Sequence, residues 1–130
     1  RRRHNWERLH AALEDLQDKL LLPEPAENSR PSWFGFLISV KPESGLNRNN
    51  ITRFIESKNV QTRLLFSGNL IKHPCFNQIR GTDAYRVVGD LKVTDFVMNN
   101  SFWVGVYPGM TDEIIDYMAK VIHEAVKNSK

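Results

Sequence analysis

Apolar residues open the chain at helical spacing. Trp6, Leu9, Leu13, Leu16 and Leu20 recur every three or four positions, which lines one face of a helix. Glu7, Arg8, Glu14, Asp15, Asp18 and Lys19 occupy the other faces. The stripe is narrow, so this helix packs along one seam. The helix starts on Arg1-Arg2-Arg3 without a capping residue, as a helix continued from preceding chain would. Residues 21–32 follow as a linker, with Pro23, Pro25 and Pro31 favouring extended backbone.

The period then changes from helical to alternating. In residues 33–41, Phe34, Phe36, Ile38 and Val40 share one face of a strand. Gly35 stands on the other face, where another element can approach closely. A helix is expected over about 48–58, capped by Asn47, with Ile51, Phe54 and Ile55 inward. A second strand is read over 60–66, with Val60, Thr62, Leu64 and Phe66 on one face and Arg63 on the other. Residues 70–90 are mostly irregular, and a short helix around 94–99 starts at Thr94. Residues 101–107 form a third strand, with Phe102, Val104 and Val106 together. Thr111 caps a last helix whose inward positions are Ile114, Ile115, Met118, Ala119, Ile122 and Val126. Asp112 and Glu113 suit the positive end of its dipole, and Lys127 and Lys130 the negative end.

The pattern predicts an α+β domain: a small, mainly antiparallel, three-stranded sheet with helices packed on one face. Residues 1–130 make a single domain, with a helix over 1–20, the linker over 21–32 and 33–130 the compact unit.

Composition narrows the function. The apolar (41%) and charged (25%) fractions are those of a globular protein. No apolar run approaches a membrane span, and no apolar signal-peptide core follows the arginines, so a cytoplasmic setting is expected. The net charge of +3 equals the contribution of Arg1, Arg2 and Arg3, so no cationic stripe is left for nucleic acid. His4, His10, His73 and His123 lack metal-ligand spacing. The single cysteine, Cys75, excludes an internal disulfide and reads as a buried or inert thiol. No glycine pattern matches a phosphate-binding fingerprint. One stretch stands out: Thr62-Arg63-Leu64-Leu65-Phe66-Ser67-Gly68-Asn69 puts a cation and an aromatic at a strand end, followed by a glycine-containing turn. Such strand ends often hold ligands, although an ordinary strand-to-loop transition has the same composition.

That stretch also carries a family resemblance. TRLLFSGN, the His73-Pro74-Cys75-Phe76 step, Tyr85-Arg86-Val87-Val88-Gly89 and MNNSFWVGVYPGMT resemble the C-terminal region of nucleotide-sugar 3-dehydrases. Those enzymes remove the 3-hydroxyl of a CDP-linked 4-keto-6-deoxyhexose in lipopolysaccharide O-antigen sugar synthesis. They belong to the sugar aminotransferases of the aspartate-aminotransferase fold. The Trp33-Phe34-Gly35-Phe36 strand and Arg48 also match. The resemblance implies the small C-terminal domain of a fold-type I enzyme, inactive alone, covering the active site of its own large N-terminal domain in a homodimer. It makes residues 1–20 the end of the interdomain helix, so part of the Trp6-to-Leu20 seam is expected to lie exposed in this chain alone. It implies pyridoxamine or pyridoxal phosphate and a [2Fe–2S] cluster, both held by the large domain, with a flavin/iron–sulfur reductase as electron donor. Cys75 alone cannot hold such a cluster, which takes four ligands.

By the same resemblance no catalytic residue lies in this chain. Phe66, Ser67, Gly68 and Asn69 would close over cofactor and sugar, and Arg63 would meet the substrate diphosphate or a subunit neighbour. Trp103, Tyr107 and Pro108 read as strand packing. The same domain of a plain sugar aminotransferase and a stand-alone α+β binding module are the alternatives.

Overall fold

The computed structural model describes residues 1–129. Its regular elements are α1 (Arg2–Leu13), β1 (Leu20–Leu21), β2 (Gly35–Val40), α2 (Arg48–Ser57), β3 (Thr62–Arg63), α3 (Lys92–Asn100), β4 (Ser101–Gly105) and α4 (Asp112–Asn128). The four strands form one antiparallel sheet in the order β1-β2-β4-β3. One strand more is present than the pattern implied.

The extra strand lies inside the stretch read as helix. α1 ends at Leu13, a 3-10 turn covers Glu14–Leu16, and Leu20 pairs with Val40 at the sheet edge. Leu20 kept the helical spacing only by coincidence, because a residue can be carried to the core by a turn as well as by a helix. Leu21 is likewise a strand residue and not linker, and 22–34 has no regular structure. Most of the seam is covered: Leu9, Leu13, Leu16 and Leu20 are buried, and only Trp6 is partly exposed.

One sheet face carries the core. Phe36, Ile38 and Val40 of β2 and Phe102 and Val104 of β4 are fully buried there. α1, α2 and α4 supply Leu9, Leu13, Ile51, Ile55, Ile115, Met118 and Ile122 against them. Completely burying each such side chain contributes roughly 1.5–3 kcal/mol. Ile114, read as inward, is half-exposed, and Val121 and Ala125 are buried in addition.

Two helices start where capping chemistry predicts. The Asn47 side chain accepts from the amides of Asn49 and Asn50, and the Thr111 hydroxyl accepts from Ile114 N. α3 starts earlier than expected, at Lys92, where the Asp90 carboxylate accepts from Lys92 N. Arg48, first residue of α2, donates to the carbonyl of Ser101, the first residue of β4. Burial lowers the pKa of its guanidinium.

α1 is tied to α4 by charge. Arg8 forms a two-pronged pair with Asp116, and Asp112 receives Arg1, His4 and Arg8. The His4 ring nitrogen and the two guanidinium groups hold the Asp112 carboxyl below its usual range. Asp112 is thus a tertiary anchor as well as a helix-dipole partner. Lys130 lies outside the described residues. No helix among the described residues is long and apolar enough to cross a membrane.

Candidate functional site

The sheet face away from the core is where the unusual residues gather. Gly35 and Leu37 of β2, Trp103 of β4 and Arg63 of β3 alternate out of the core pattern. Trp103 is the central feature, standing beside Leu37 on one strand and Arg63 on the other. Phe34 packs edge-on against its indole, with ring centroids 5.3 Å apart. Phe34 is 62% exposed, so it leaves the inward face to which alternation assigned it. The reason is position: β2 begins one residue later, at Gly35.

Two hollows flank Trp103. One, of about 460 Å³, is lined by Pro23, Trp33, Phe34, Gly35, Leu37, Leu65, Phe66 and Trp103, with Glu24 as its charged member. The other, of about 400 Å³, holds Arg63 with Gln61, Tyr107, Tyr117 and apolar residues of α4. Arg63 and Phe66 therefore serve the same side of the sheet in neighbouring hollows, divided by the Trp103 ring. Alternation over 60–66 had set them on opposite faces. The ladder ends at Arg63, and the chain then turns, taking Leu64 and Phe66 out of the inward row.

The turn itself is strained and tightly held. Phe66 adopts left-handed backbone (φ 46°) while 81% of it is exposed. That conformation costs a non-glycine residue about 1–2 kcal/mol, with no burial of its ring to offset it. Gly68 is also left-handed (φ 62°), and a Cβ there would meet Met98 Cγ at 2.5 Å. Glycine is required at 68 on both counts. Ser67 is exposed, and its carbonyl faces the His73 ring nitrogen.

Asn69 differs from its neighbours. It is 2% exposed, its Nδ2 donates to Asp95 Oδ1 at 2.7 Å, and its backbone amide reaches Met98 Sδ at 3.3 Å. Lys72 Nζ lies 2.7 Å from the other oxygen of Asp95. Lys72 and Asn69 together hold the Asp95 carboxyl below its usual range. The open part of the turn is thus Phe66 and Ser67, while Gly68 and Asn69 face α3. Arg63 has no ion-pair partner among the described residues.

Sequence reasoning missed Asp95 and gave Trp103 and Tyr107 only a packing role. Tyr107 is more than half exposed and Trp103 separates the two hollows. Asp95 carried no motif, and only folding brings it to Asn69. Cys75, read as buried or inert, is exposed.

Large exposed apolar side chains concentrate after β3. Leu64, Phe66, Leu70, Phe76, Val87, Val88 and Val93 all stand in solvent on this chain. Among the described residues no cluster of His, Cys, Asp or Glu is placed to hold a metal ion.

The family model for the DegT/DnrJ/EryC1/StrS aminotransferase family matches residues 1–123. The chain is 47% identical over 128 residues to a dTDP-4-dehydro-2,6-dideoxy-D-glucose 3-dehydratase of Saccharopolyspora spinosa, covering 98% of this chain and 27% of that protein. It is 45% identical over 123 residues to the lipopolysaccharide biosynthesis protein RfbH of Salmonella typhimurium, covering 95% of this chain and 27% of that protein. Among solved structures, the E. coli GDP-4-keto-6-deoxy-D-mannose-3-dehydratase with bound hydrated PLP superposes with a TM-score of 0.78 at 26% identity, over 93% of this chain and 30% of that one. An aminotransferase from Psychrobacter cryohalolentis shares the fold, with a TM-score of 0.81 at 17% identity over 98% of this chain and 34% of that one. The chain spans about a quarter of the length of the curated relatives it matches.

Proposed function

The chain belongs to the DegT/DnrJ/EryC1/StrS aminotransferase family, and from that premise we propose that it is the C-terminal domain of a nucleotide-sugar 3-dehydrase. The proposed reaction is C-3 deoxygenation of a CDP-linked 4-keto-6-deoxyhexose in the synthesis of lipopolysaccharide sugars, in the cytoplasm. One observation carries the reading: 45–47% identity along nearly the whole chain to two proteins, one of them named as a 3-dehydratase.

In this reading the exposed outer face and the 64–93 stretch cover the active site of the large domain, in a homodimer. Phe66 and Ser67 face the sugar, and Gly68 and Asn69 shape the turn that presents them. Arg63, whose guanidinium suits bidentate contact with a phosphate, meets the substrate diphosphate or the neighbouring subunit.

The expected pyridoxamine phosphate and [2Fe–2S] cluster do not fit residues of this chain. A two-iron cluster takes four protein ligands, and Cys75 is the only cysteine. No glycine-rich phosphate cradle is present. Both groups are therefore assigned to the large domain, with electrons from a flavin/iron–sulfur reductase. The cofactor would supply the electron sink for loss of the 3-hydroxyl. This chain would exclude water and orient the sugar.

The deciding experiment is to read the coding sequence upstream of Arg1 and assay the full-length enzyme with CDP-, dTDP- and GDP-linked 4-keto-6-deoxyhexoses. Four spaced cysteines, a histidine at the cofactor position and preference for the CDP-sugar are expected. A lysine at that position without the cysteines would replace this reading with a sugar aminotransferase.

A further inference from the structure

We infer that Asp95 is the positioning residue of the active-site turn: its carboxylate, held between Asn69 and Lys72, sets the place of Phe66 and Ser67 on the outer sheet face. The inference rests on the proposed role of that turn and deepens it.

Besides the hydrogen bond between the His73 ring nitrogen and the Ser67 carbonyl, the turn has little else to hold it. Its ladder partner ends at Arg63, and the next residues, Leu64 to Ser67, make no strand pairing. Phe66 is 81% exposed in an unfavourable backbone conformation, so its own side chain does not fix it. What anchors the segment is Asn69. It is buried, and its carboxamide donates to Asp95 while its amide reaches Met98, both on α3. Lys72, one turn further on, closes on the second oxygen of the same carboxylate. Asp95 thus accepts from two points that bracket the 3-10 turn after Asn69.

α3 transmits that position to the sheet. It runs without a break into β4, the strand that carries Trp103. A carboxylate early in α3 therefore ties the turn to the strand whose indole shares a hollow with Phe66. Asp95 acts through Asn69 and Lys72 and has no need to touch substrate. Asn69 is by the same geometry an anchor, since it is buried and its carboxamide is turned toward Asp95.

The test compares Asp95→Ala with Asp95→Asn in the full-length enzyme, by amide hydrogen exchange and by turnover of the CDP-linked 4-keto-6-deoxyhexose. Alanine removes both acceptors, and asparagine keeps the one for Asn69. Asp95→Ala is expected to speed exchange at residues 66–72 by about tenfold or more, the size of a charge-assisted hydrogen bond. It should also raise KM more than it lowers kcat. Asp95→Asn should restore most of both properties. Unchanged exchange in Asp95→Ala would overturn the inference, as would faster exchange with unaltered kinetics. An Asp95→Asn enzyme with a protected turn and the kinetics of the alanine variant would also overturn it, by making the carboxylate itself a substrate contact. Phe66→Ala separates the two levels. If it leaves turnover intact, the turn is not at the active site, whatever Asp95 does to its exchange.

Discussion

The indole of Trp103 lies across the backbone of Gly35, so close that a Cβ on Gly35 would stand 2.7 Å from Trp103 Cε3. The two residues sit on adjacent strands, with Gly35 opposite Gly105 and Trp103 opposite Leu37. The missing side chain makes room for the ring to lie flat against the sheet. The ring then forms the wall between the Arg63 and Phe66 hollows.

Gly35→Ala should displace that ring. The domain should lose about 1–3 kcal/mol, as overpacked sites do, with a shift in tryptophan emission. In the full-length enzyme, turnover should fall more than stability predicts. Thermal denaturation, fluorescence and steady-state kinetics check this.

Phe66 offers a contrast of stability against function. Phe66→Gly relieves left-handed strain, although it also loosens the unfolded chain. The domain should keep its stability within about 1 kcal/mol or gain slightly. Turnover of the full-length enzyme should drop for Phe66→Gly and Phe66→Ala alike. Denaturant melts beside kinetics would show the two properties moving apart.

Arg63 lies on an edge strand, is exposed and lacks an ion-pair partner among the described residues. Arg63→Ala should change stability by no more than about 0.5 kcal/mol. Its proposed phosphate contact predicts a higher KM for the nucleotide sugar, which Arg63→Lys restores only in part because the planar fork is lost. Analytical ultracentrifugation in parallel distinguishes a subunit contact, which would show as weaker dimerisation.

His123 should make the domain's stability depend on pH. Burial pulls its pKa down, but the Ala119 carbonyl and the Asp15 carboxylate outweigh it and leave the pKa raised above 6.5. Nδ1 lies 2.8 Å from Ala119 O and Nε2 2.9 Å from Asp15 Oδ1, so both nitrogens face acceptors and the imidazolium satisfies both. A raised folded-state pKa adds stability that is complete below the unfolded value and is lost as pH rises through the folded one. Melting temperature should therefore decline as pH rises from 6.5 through the folded-state pKa, and Asp15→Asn should flatten that decline. An NMR titration of His123 reads the same shift directly.

The Asn47 cap should be measurable on its own. Its side-chain oxygen takes amides at 2.8 and 3.3 Å. Asn47→Ala should cost about 0.5–2 kcal/mol, and Asn47→Asp or Asn47→Ser should recover most of it.

Much of the fold was legible because its signals are local. The Asn47 and Thr111 caps, the Ile51–Ile55 pair, the inward rows of β2 and β4 and the apolar stripe of α4 depend only on neighbours in sequence. The stretches that misled were those where a partner decides length. Val60 to Phe66 alternates like a strand, but it pairs with β4 only at Thr62–Val104 and Arg63–Trp103, and the chain then turns through the left-handed Phe66. Leu20 continues a helical period, yet pairing with Val40 makes it a strand residue.

The site divides along the same line. Its proposed location at the Phe66–Asn69 turn, and the family that turn suggested, came from the order of residues alone, because a glycine-containing turn after a strand and a long motif are one-dimensional features. Which of those residues face outward was decided only by tertiary structure. Asp95 stands 26 residues beyond Asn69 in sequence, and Trp103 meets Gly35 across a strand pair. Hydrogen bonds and ring packing form between residues that the backbone brings together, so the inward turn of Asn69 and the outward exposure of Phe66 exist only once α3 and the sheet are in place.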